Sequence, residues 1–592
     1  MTPRGRVSSR PDPGPPQARR LRRLVAIPLA LVAVGCGTTE PTASPEAAPP
    51  ITPAVTATAG FRWTSATPES QGMCGSTLQL GCTKTLATIW SVISNPKHNT
   101  KRFVVIRNDK VIYDRGGTSA YHAYSASKGL WGAPTLVYAM SRCGVGLTDP
   151  AATWLQHAEG ARWGTDFPWN TITVEQLATH TSGVCDYGNT STICRNENPG
   201  WQAAYDKADV GDTNYKYPGD AFTIARTKAE QNREPALPPG STFEYSNVGH
   251  GLLNYVVQRA CGLKLADIYD RYIKQAGMGS PVRPALIYTD ASQQFNQSTG
   301  VAKWKGLDGA AVLRLAGRLG IWDNRNVEPV RYWNALTKIT GNLPAAAAVG
   351  WGVVYNNNST DMWTQSAGHL RLSPETFGHG GNYSNIFIND PLTGTIVVRQ
   401  GENNANGASY LTENGCAPGW TGTAPSCKSG TDWSNNWNVS SSAVGFSSAG
   451  PRVKVVEPLQ EAFFFPPPYC RMTLAAGNLV DNATDIYDGP ADAPTIDLAA
   501  EVTVSPREGA GSSEVDRVEF YKESDGTGPV LIGSGTLVAG TSPAQYQLSY
   551  AADAHGLTGE VRTYFANCVA RSTQDPTKKV PSYSRPVRVR RP

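Results

Sequence analysis

The sequence predicts an α+β fold followed by a β-sandwich, and three observations carry that prediction. Strand patterns stand at both ends of the region 61–440 with helical patterns between them, which predicts one sheet assembled from the two ends of this region together with helices. From about Asp485, short alternating runs separated by turn residues recur at the spacing of a sandwich. The composition, with 59 Gly, 43 Pro, 15 Trp and 24 Tyr in 592 residues, is loop-rich and aromatic. It excludes coiled coil, helical solenoid and collagen, and a 40% hydrophobic content excludes global disorder.

At the start of the chain, Arg19, Arg20, Arg22 and Arg23 precede an apolar run from Leu24 to Val34. This is the layout of a signal peptide, and the run is shorter than the roughly 20 residues a membrane-spanning helix needs. It ends Ala33-Val34-Gly35-Cys36, which resembles the lipobox of bacterial lipoproteins, although Ala33 stands where Leu is usual. The resemblance implies a lipid on the Cys36 thiol and loss of the chain before it; ordinary secretion with cleavage near Gly35 is the alternative. Residues 1–36 are thus expected to be signal peptide and lipobox, and 37–60 a flexible Gly, Thr, Ser, Pro and Ala tether. The expected location is the periplasm-facing or outer cell surface, with membrane attachment only through Cys36. Seven Arg and one Asp fall in the first 35 residues, so the formal charge of +5 becomes −1 without them. Nothing in that balance points to nucleic acid.

Ten cysteines remain besides Cys36. Cys74 with Cys82, Cys185 with Cys194, and Cys416 with Cys427 are close enough to be local loop staples, leaving Cys143 with Cys261 and Cys470 with Cys568; spacing alone does not fix the connectivity. There is no CxxC, and the eight His show no HExxH or paired metal spacing, so no metal site is expected.

Lys101 to Gly116 reads as a hairpin turning at Asn108-Asp109, and Ser384 to Arg399 as a second one turning at Asp390-Pro-Leu-Thr-Gly. Apolar positions from about Leu130 to Met140 and from about Gly251 to Ala260 suit helices. The polar and aromatic stretch from Cys185 to Pro239 is either a roof over a site or a surface excursion. Residues 441–484, with Phe463-Phe-Phe-Pro-Pro-Pro-Tyr469, read as a bridge, and 485–592 as the sandwich. Its Val515-Asp-Arg-Val-Glu-Phe-Tyr run, with the later Leu531-Ile-Gly, resembles the Ig-like modules appended to many bacterial surface enzymes. A rigid spacer is preferred as its role over glycan or protein binding.

The chemistry concentrates in Tyr124-Ser125-Ala126-Ser127-Lys128-Gly129. A helix beginning at Ser125 places Lys128 over the same face, with its amine in reach of the Ser125 hydroxyl, while the helix N-terminus favours negative charge on an attacking oxygen. Ser94-Asn-Pro-Lys97 has the same spacing, but Asn-Pro disfavours a helix there and assigns it to a turn. Further on come His180-Thr-Ser-Gly183, then Pro239-Gly240-Ser-Thr-Phe-Glu-Tyr245-Ser246-Asn247, then His379-Gly380-Gly381-Asn382. Tyr-x-Asn also occurs at Tyr187, Tyr355 and Tyr383; Tyr245 is preferred for its place after a Pro-Gly turn and before a helix.

The ordered set SxxK, HTSG, PG-x-x-F-x-YSN and HGG resembles the serine β-lactamase and penicillin-binding-protein superfamily, in particular its class C β-lactamase-like group with D-amino acid peptidases and esterases. The resemblance spans about Phe61 to Glu402 and implies a β-lactamase/transpeptidase-like fold, an antiparallel sheet flanked by helices plus an all-helical region. It implies Ser125 as nucleophile, Lys128 as activating amine and Tyr245 as the proton-relaying phenol. Asn247, His379, Gly380 and Gly381 would line the substrate, and the backbone N–H groups of Ser125 and Asn382 would form the oxyanion hole. His180 is expected to be a structural hydrogen-bonding residue of its loop. His379 and Gly380 depart from the Lys and Thr of KTG, which weakens the grip on a substrate carboxylate and favours peptidase or esterase relatives over β-lactamase or D,D-carboxypeptidase activity on β-lactams or peptidoglycan. The function implied is an exported serine hydrolase acting through an acyl-enzyme on a small-molecule or peptide acyl donor, amide or ester, without a cofactor. A non-catalytic surface lipoprotein is the alternative of another class, and a cell-wall polymer the candidate macromolecular partner.

Overall fold

The computed structural model describes residues 63–79, 81–95, 98–123, 126–156, 168–178, 181–184, 238–240, 247–263, 265–275, 303–318, 377–381, 385–401, 455, 457–474, 480–481, 486–488, 495–504, 513–524, 528–551, 561–584 and 586–590. All of them belong to the unit Thr56–Pro592.

The first sheet contains β1 (Thr64–Ser65), β2 (Thr100–Arg107), β3 (Lys110–Gly116), β6 (Phe377–Gly381), β7 (Asn385–Asp390) and β8 (Thr395–Gly401), in the order β1-β3-β2-β8-β7-β6. Two short strands, β4 (Tyr121–His122) and β5 (Lys303–Trp304), pair with each other beside it. As expected, the sheet is built from two hairpins far apart in sequence. Asn108 and Asp109 turn the first at φ of 49° and 63°, the left-handed pair that a tight hairpin demands. One expectation needs correction: the sheet is not wholly antiparallel, because β1 pairs parallel with β3. The connection back across α1 (Leu86–Ile93) and β2 makes that direction accessible.

Both faces of this sheet are buried, and alternation along β2 assigns each residue to a layer. Val104 and Ile106, with Phe387, Ile396 and Val398, face a core that includes residues of α2 (Ala133–Arg142), α5 (Asn247–Cys261), α6 (Leu265–Gln275) and α7 (Gly306–Arg318). Phe103 and Val105, with Ile386, Ile388 and Val397, face a second core with Leu86, Ile89 and Ile93 of α1. Two short helices, α3 (Ala151–Gln156) and α4 (Val174–Ala178), complete the helical side, and α1 is capped by Thr85, whose hydroxyl accepts from Thr88 N–H at 3.0 Å.

Helix α7 lies against the sheet because Gly309 has no side chain: a Cβ there would collide with the Phe387 ring. The Asn389 amide donates to Leu313 O at 2.6 Å, tying β7 to the same helix. In its first turn, partly buried Asp308 has its carboxyl pushed up to about 6 by loss of solvent, against the opposing pull of Lys305 and Arg102. The folded chain therefore holds this proton more tightly than the unfolded chain, whose value is near 3.8. The favourable contribution is complete below about pH 4 and is lost as the pH rises through about 6. Asp308→Asn is expected to melt higher than the wild type above pH 6, with the gap closing towards pH 4; melting curves from pH 4 to 8 check this.

Within the 441–484 stretch expected as a bridge, Val455, Leu459, Phe463, Phe464 and Phe465 fill the second core of the first sheet, beside α1 and the short helix α8 (Glu457–Gln460). Farther along the same stretch, β9 (Tyr469–Leu474) is already a strand of the C-terminal module, paired with β12 (Thr495–Thr503). That module consists of two sheets around one core. The four-stranded sheet has the order β15 (Thr536–Val538), β16 (Ala544–Ala551), β12, β9. The larger one has β10 (Val480–Asp481), β11 (Ile486–Asp488), β19 (Val587–Arg590), β17 (Val561–Ser572), β13 (Ser513–Ser524) and β14 (Gly528–Ser534), with β18 (Lys579–Tyr583) also on β17. Leu498, Val502, Phe520 and Tyr564 are at the centre, and the Cys470–Cys568 disulfide joins β9 to β17 across the sheets.

The module is seated on the hairpin turns of the first sheet. The buried Arg107 guanidinium donates to Thr393 O in the β7–β8 turn, to Thr395 Oγ1 at 2.7 Å and to Pro581 O in β18. Asn108 Oδ1 accepts from Tyr583 N–H at 2.8 Å. Burial lowers the Arg107 guanidinium to about 9, with Asp390 pulling in the opposite direction, which leaves it cationic at neutral pH.

Candidate functional site

Lys128 begins a π-helical turn, Lys128–Gly132, that runs into α2. The sequence expectation of a regular helix here fails for a local reason. Pro134 has no N–H for the Leu130 carbonyl and its ring crowds that carbonyl, so the chain takes a wider winding before α2. Thr135 Oγ1 donates to Gly132 O at 2.7 Å, supplying one side-chain bond at the junction. Lys128 is 0% exposed. Lysine is almost never withdrawn from water without a partner or a role.

Asn247 is the first residue of α5, the helix expected after Tyr245, and α5 packs beside α2 and touches the Lys128–Gly132 turn. The far ends of these two helices are joined by Cys143–Cys261. His379, Gly380 and Gly381 lie on β6, opposite Phe387, Ile386 and Asn385 of β7, and β6 also touches the lysine turn. Among the described residues β6 is one of the two edge strands of its sheet, with β1 at the other edge. A helix start, a buried lysine and a glycine-rich edge strand, remote in sequence, thus meet at one place.

The loop after α4 joins the same neighbourhood. Thr173 and Gln176 form a reciprocal cap on α4: Gln176 N–H donates to Thr173 Oγ1 at 3.2 Å and Thr173 N–H to Gln176 Oε1 at 3.0 Å. Its signal in the sequence is the Thr-x-x-Gln spacing itself. The chain then turns so that Thr181 O accepts from Gly240 N–H at 2.8 Å, connecting the HTSG loop to the Pro-Gly turn that leads to α5. Ser125, Tyr245, Asn382, His180 and Cys36 lie outside the described residues, as do the pairs Cys185 with Cys194 and Cys416 with Cys427. Three of the five expected disulfides are described: Cys74–Cys82, Cys143–Cys261 and Cys470–Cys568.

The sequence reading missed His250, which is 0% exposed on the first turn of α5 and abuts Gly132. No local pattern distinguishes it from an ordinary helix residue. Among the described residues no group of three or more His, Cys, Asp or Glu is arranged to hold a metal ion, and no helix is long and apolar enough to cross a membrane.

The β-lactamase family model matches residues 102–400, half of the chain, from β2 through the lysine turn, α5 and β6 to β8. The chain belongs to the β-lactamase family. Solved structures similar to this β-lactamase-family protein include the octameric penicillin-binding-protein homologue of Pyrococcus abyssi, at 14% identity and a TM-score of 0.37 over 81% of this chain and 96% of that one. A penicillin-binding protein from Bacillus halodurans gives 17% and 0.34, over 52% and 93%. A D-stereospecific amidohydrolase from Streptomyces sp. gives 18% and 0.29, over 52% and 91%. At these scores the neighbours add nothing to the family assignment. No curated protein matches the chain.

Proposed function

We propose that this β-lactamase-family hydrolase is an exported serine hydrolase that works through an acyl-enzyme on an amide, peptide or ester. The observation that carries the reading is the fully buried Lys128 three residues after Ser125, on a turn touched both by the helix that opens with Asn247 and by the His379-Gly380-Gly381 strand. In the proposed reaction, Ser125 Oγ attacks the acyl carbonyl and its proton passes to Lys128, with Tyr245 relaying a proton to the departing amine or alcohol. Water then attacks the acyl-enzyme, releasing the acid and returning the proton to Ser125. The N–H groups of Ser125 and Asn382 hold the oxyanion, and Asn247 and His379 orient the donor. An edge strand with two adjacent glycines suits an extended substrate lying along its backbone.

Export is supported by the arginine-rich start, the apolar run and Cys36, whose lipid would anchor the protein. Ten further cysteines suit an oxidising compartment, and the three described pairs are compatible with it. The C-terminal module is read as an Ig-like support for the hydrolase.

Fluorophosphonate labelling of the chain from Gly37, followed by peptide mapping, tests the hydrolase reading. Label is expected on Ser125 and is expected to vanish in Ser125→Ala; folded protein that takes no label at Ser125 contradicts the reading. Turnover of a p-nitrophenyl ester against a chromogenic cephalosporin then separates esterase or peptidase chemistry from β-lactam hydrolysis, with the ester expected to be faster.

A further inference from the structure

We infer that His250 is a positioning residue, which sets the spacing between the turn carrying Lys128 and the helix that opens with Asn247; this rests on the serine hydrolase reading above. His250 is three residues after Asn247 and fully buried. Its imidazole occupies the space that a side chain at 132 would need: a Cβ on Gly132 would stand 2.8 Å from Nε2 and 3.4 Å from Cδ2. Real Cβ atoms essentially never approach a heavy atom below 3.0 Å, so the ring and the bare backbone of Gly132 are matched surfaces. Gly132 ends the turn that Lys128 begins.

The residue beside Gly132 is held as well. Trp131 is stacked on Tyr269 of α6 with ring centres 4.4 Å apart, and Tyr269 meets Trp304 edge-on at 6.2 Å. All three rings are buried. The lysine turn is therefore confined both by an imidazole wedge and by an aromatic stack. At the other end of the same helix pair, Cys143–Cys261 brings the backbones to a Cα separation of 5.0 Å. Contacts at both ends fix how far α2 and α5 can part. A reaction that uses an amine from one helix and an amide from the other depends on that distance, because a misplacement of about 1 Å costs on the order of 100-fold in rate.

The test measures acylation bursts with a p-nitrophenyl ester in the full exported chain, for the wild type, His250→Ala, His250→Phe, Gly132→Ala and the Gly132→Ala/His250→Ala double variant. Circular dichroism and melting curves accompany each assay. His250→Ala is expected to slow acylation by about 10- to 100-fold with a much smaller change in KM. His250→Phe, which keeps a planar ring, is expected to restore most of that rate. Gly132→Ala is expected to harm the wild type more than it harms the His250→Ala background, where the vacated space accepts the new methyl. A wild-type acylation rate in folded His250→Ala, equal rates in the Ala and Phe variants, or an identical Gly132→Ala effect in both backgrounds would overturn the inference. If His250→Ala does not fold, His250→Gln replaces it, with the same slow-Gln, fast-Phe expectation. A wild-type chain that does not label at Ser125 overturns the hydrolase reading itself, whereas a labelled wild type beside an unaffected variant overturns only the role of His250.

Discussion

Replacing Lys128 by Ala is expected to slow acylation of Ser125 by about 10³-fold or more, as for a member of a catalytic unit whose parts fail together. The side chain is fully buried, so the change also leaves a space; Lys128→Met fills most of it and removes only the amine. The two variants are expected to lose rate equally if the amine carries the proton. Rapid-mixing measurement of the burst with a p-nitrophenyl ester, alongside fluorophosphonate labelling, checks the pair. An unchanged rate in Lys128→Met would remove Lys128 from the reaction. A loss in Ala that Met restores would make Lys128 a packing residue.

The second large effect is expected at the junction between the hydrolase region and the C-terminal module. Arg314 of α7 makes a two-pronged ion pair with Asp109 in the β2–β3 turn, at 2.8 and 2.9 Å, and reaches Glu523 of β13 at 3.1 Å. Its side chain is 3% exposed, against 15% for Asp109 and 23% for Glu523. Deleting one member of a buried ionic group leaves the others uncompensated, which costs about 3–5 kcal/mol when burial is complete; the partial exposure of both carboxylates places Arg314→Ala near about 3 kcal/mol. Urea unfolding of the full chain measures this.

The same experiment tests how the two regions depend on each other. Ala570 and Val580 of the module belong to the core that also contains Phe103, Val105 and Val397 of the first sheet. One shared core predicts one unfolding transition, the same by tryptophan fluorescence and by loss of fluorophosphonate reactivity. Two separated transitions would mean that the module is an independent attachment. Because the apolar surface under Phe463, Phe464 and Phe465 is covered from both sides, a hydrolase cut off at 440 is expected to be insoluble or inactive.

Much of the fold is legible in the sequence because its signals are short-range. The Asn108-Asp109 turn, the hairpins at 100–116 and 385–401 and the helix after Tyr245 all follow from residues that are neighbours in sequence, and each occurs in the structure. The pairs Cys143–Cys261 and Cys470–Cys568 are what local pairing of the other six cysteines leaves over; the count does not choose among the ways of joining those four, and the structure contains both pairs. Less of the site can be read. Lys128 stands out by its spacing from Ser125, but its complete burial and the wide turn it begins depend on Pro134 and on the helices packed around it. His250 carries no mark at all, since its partner is a glycine 118 positions earlier.

The sequence alone points to the family, through an ordered set of motifs, and to many of the strands, helices and turns, through periodicity and backbone preference. Only the tertiary structure decided that 455–465 is core rather than connector, that β6 and α5 both meet the Lys128 turn, and that the module locks onto the hydrolase region. The physical reason is range. Arg107 and Pro581 are 474 residues apart when they form a hydrogen bond, and no periodicity or turn chemistry spans such a distance. Their meeting is set by the shape and polarity of surfaces that exist only after the local elements have formed.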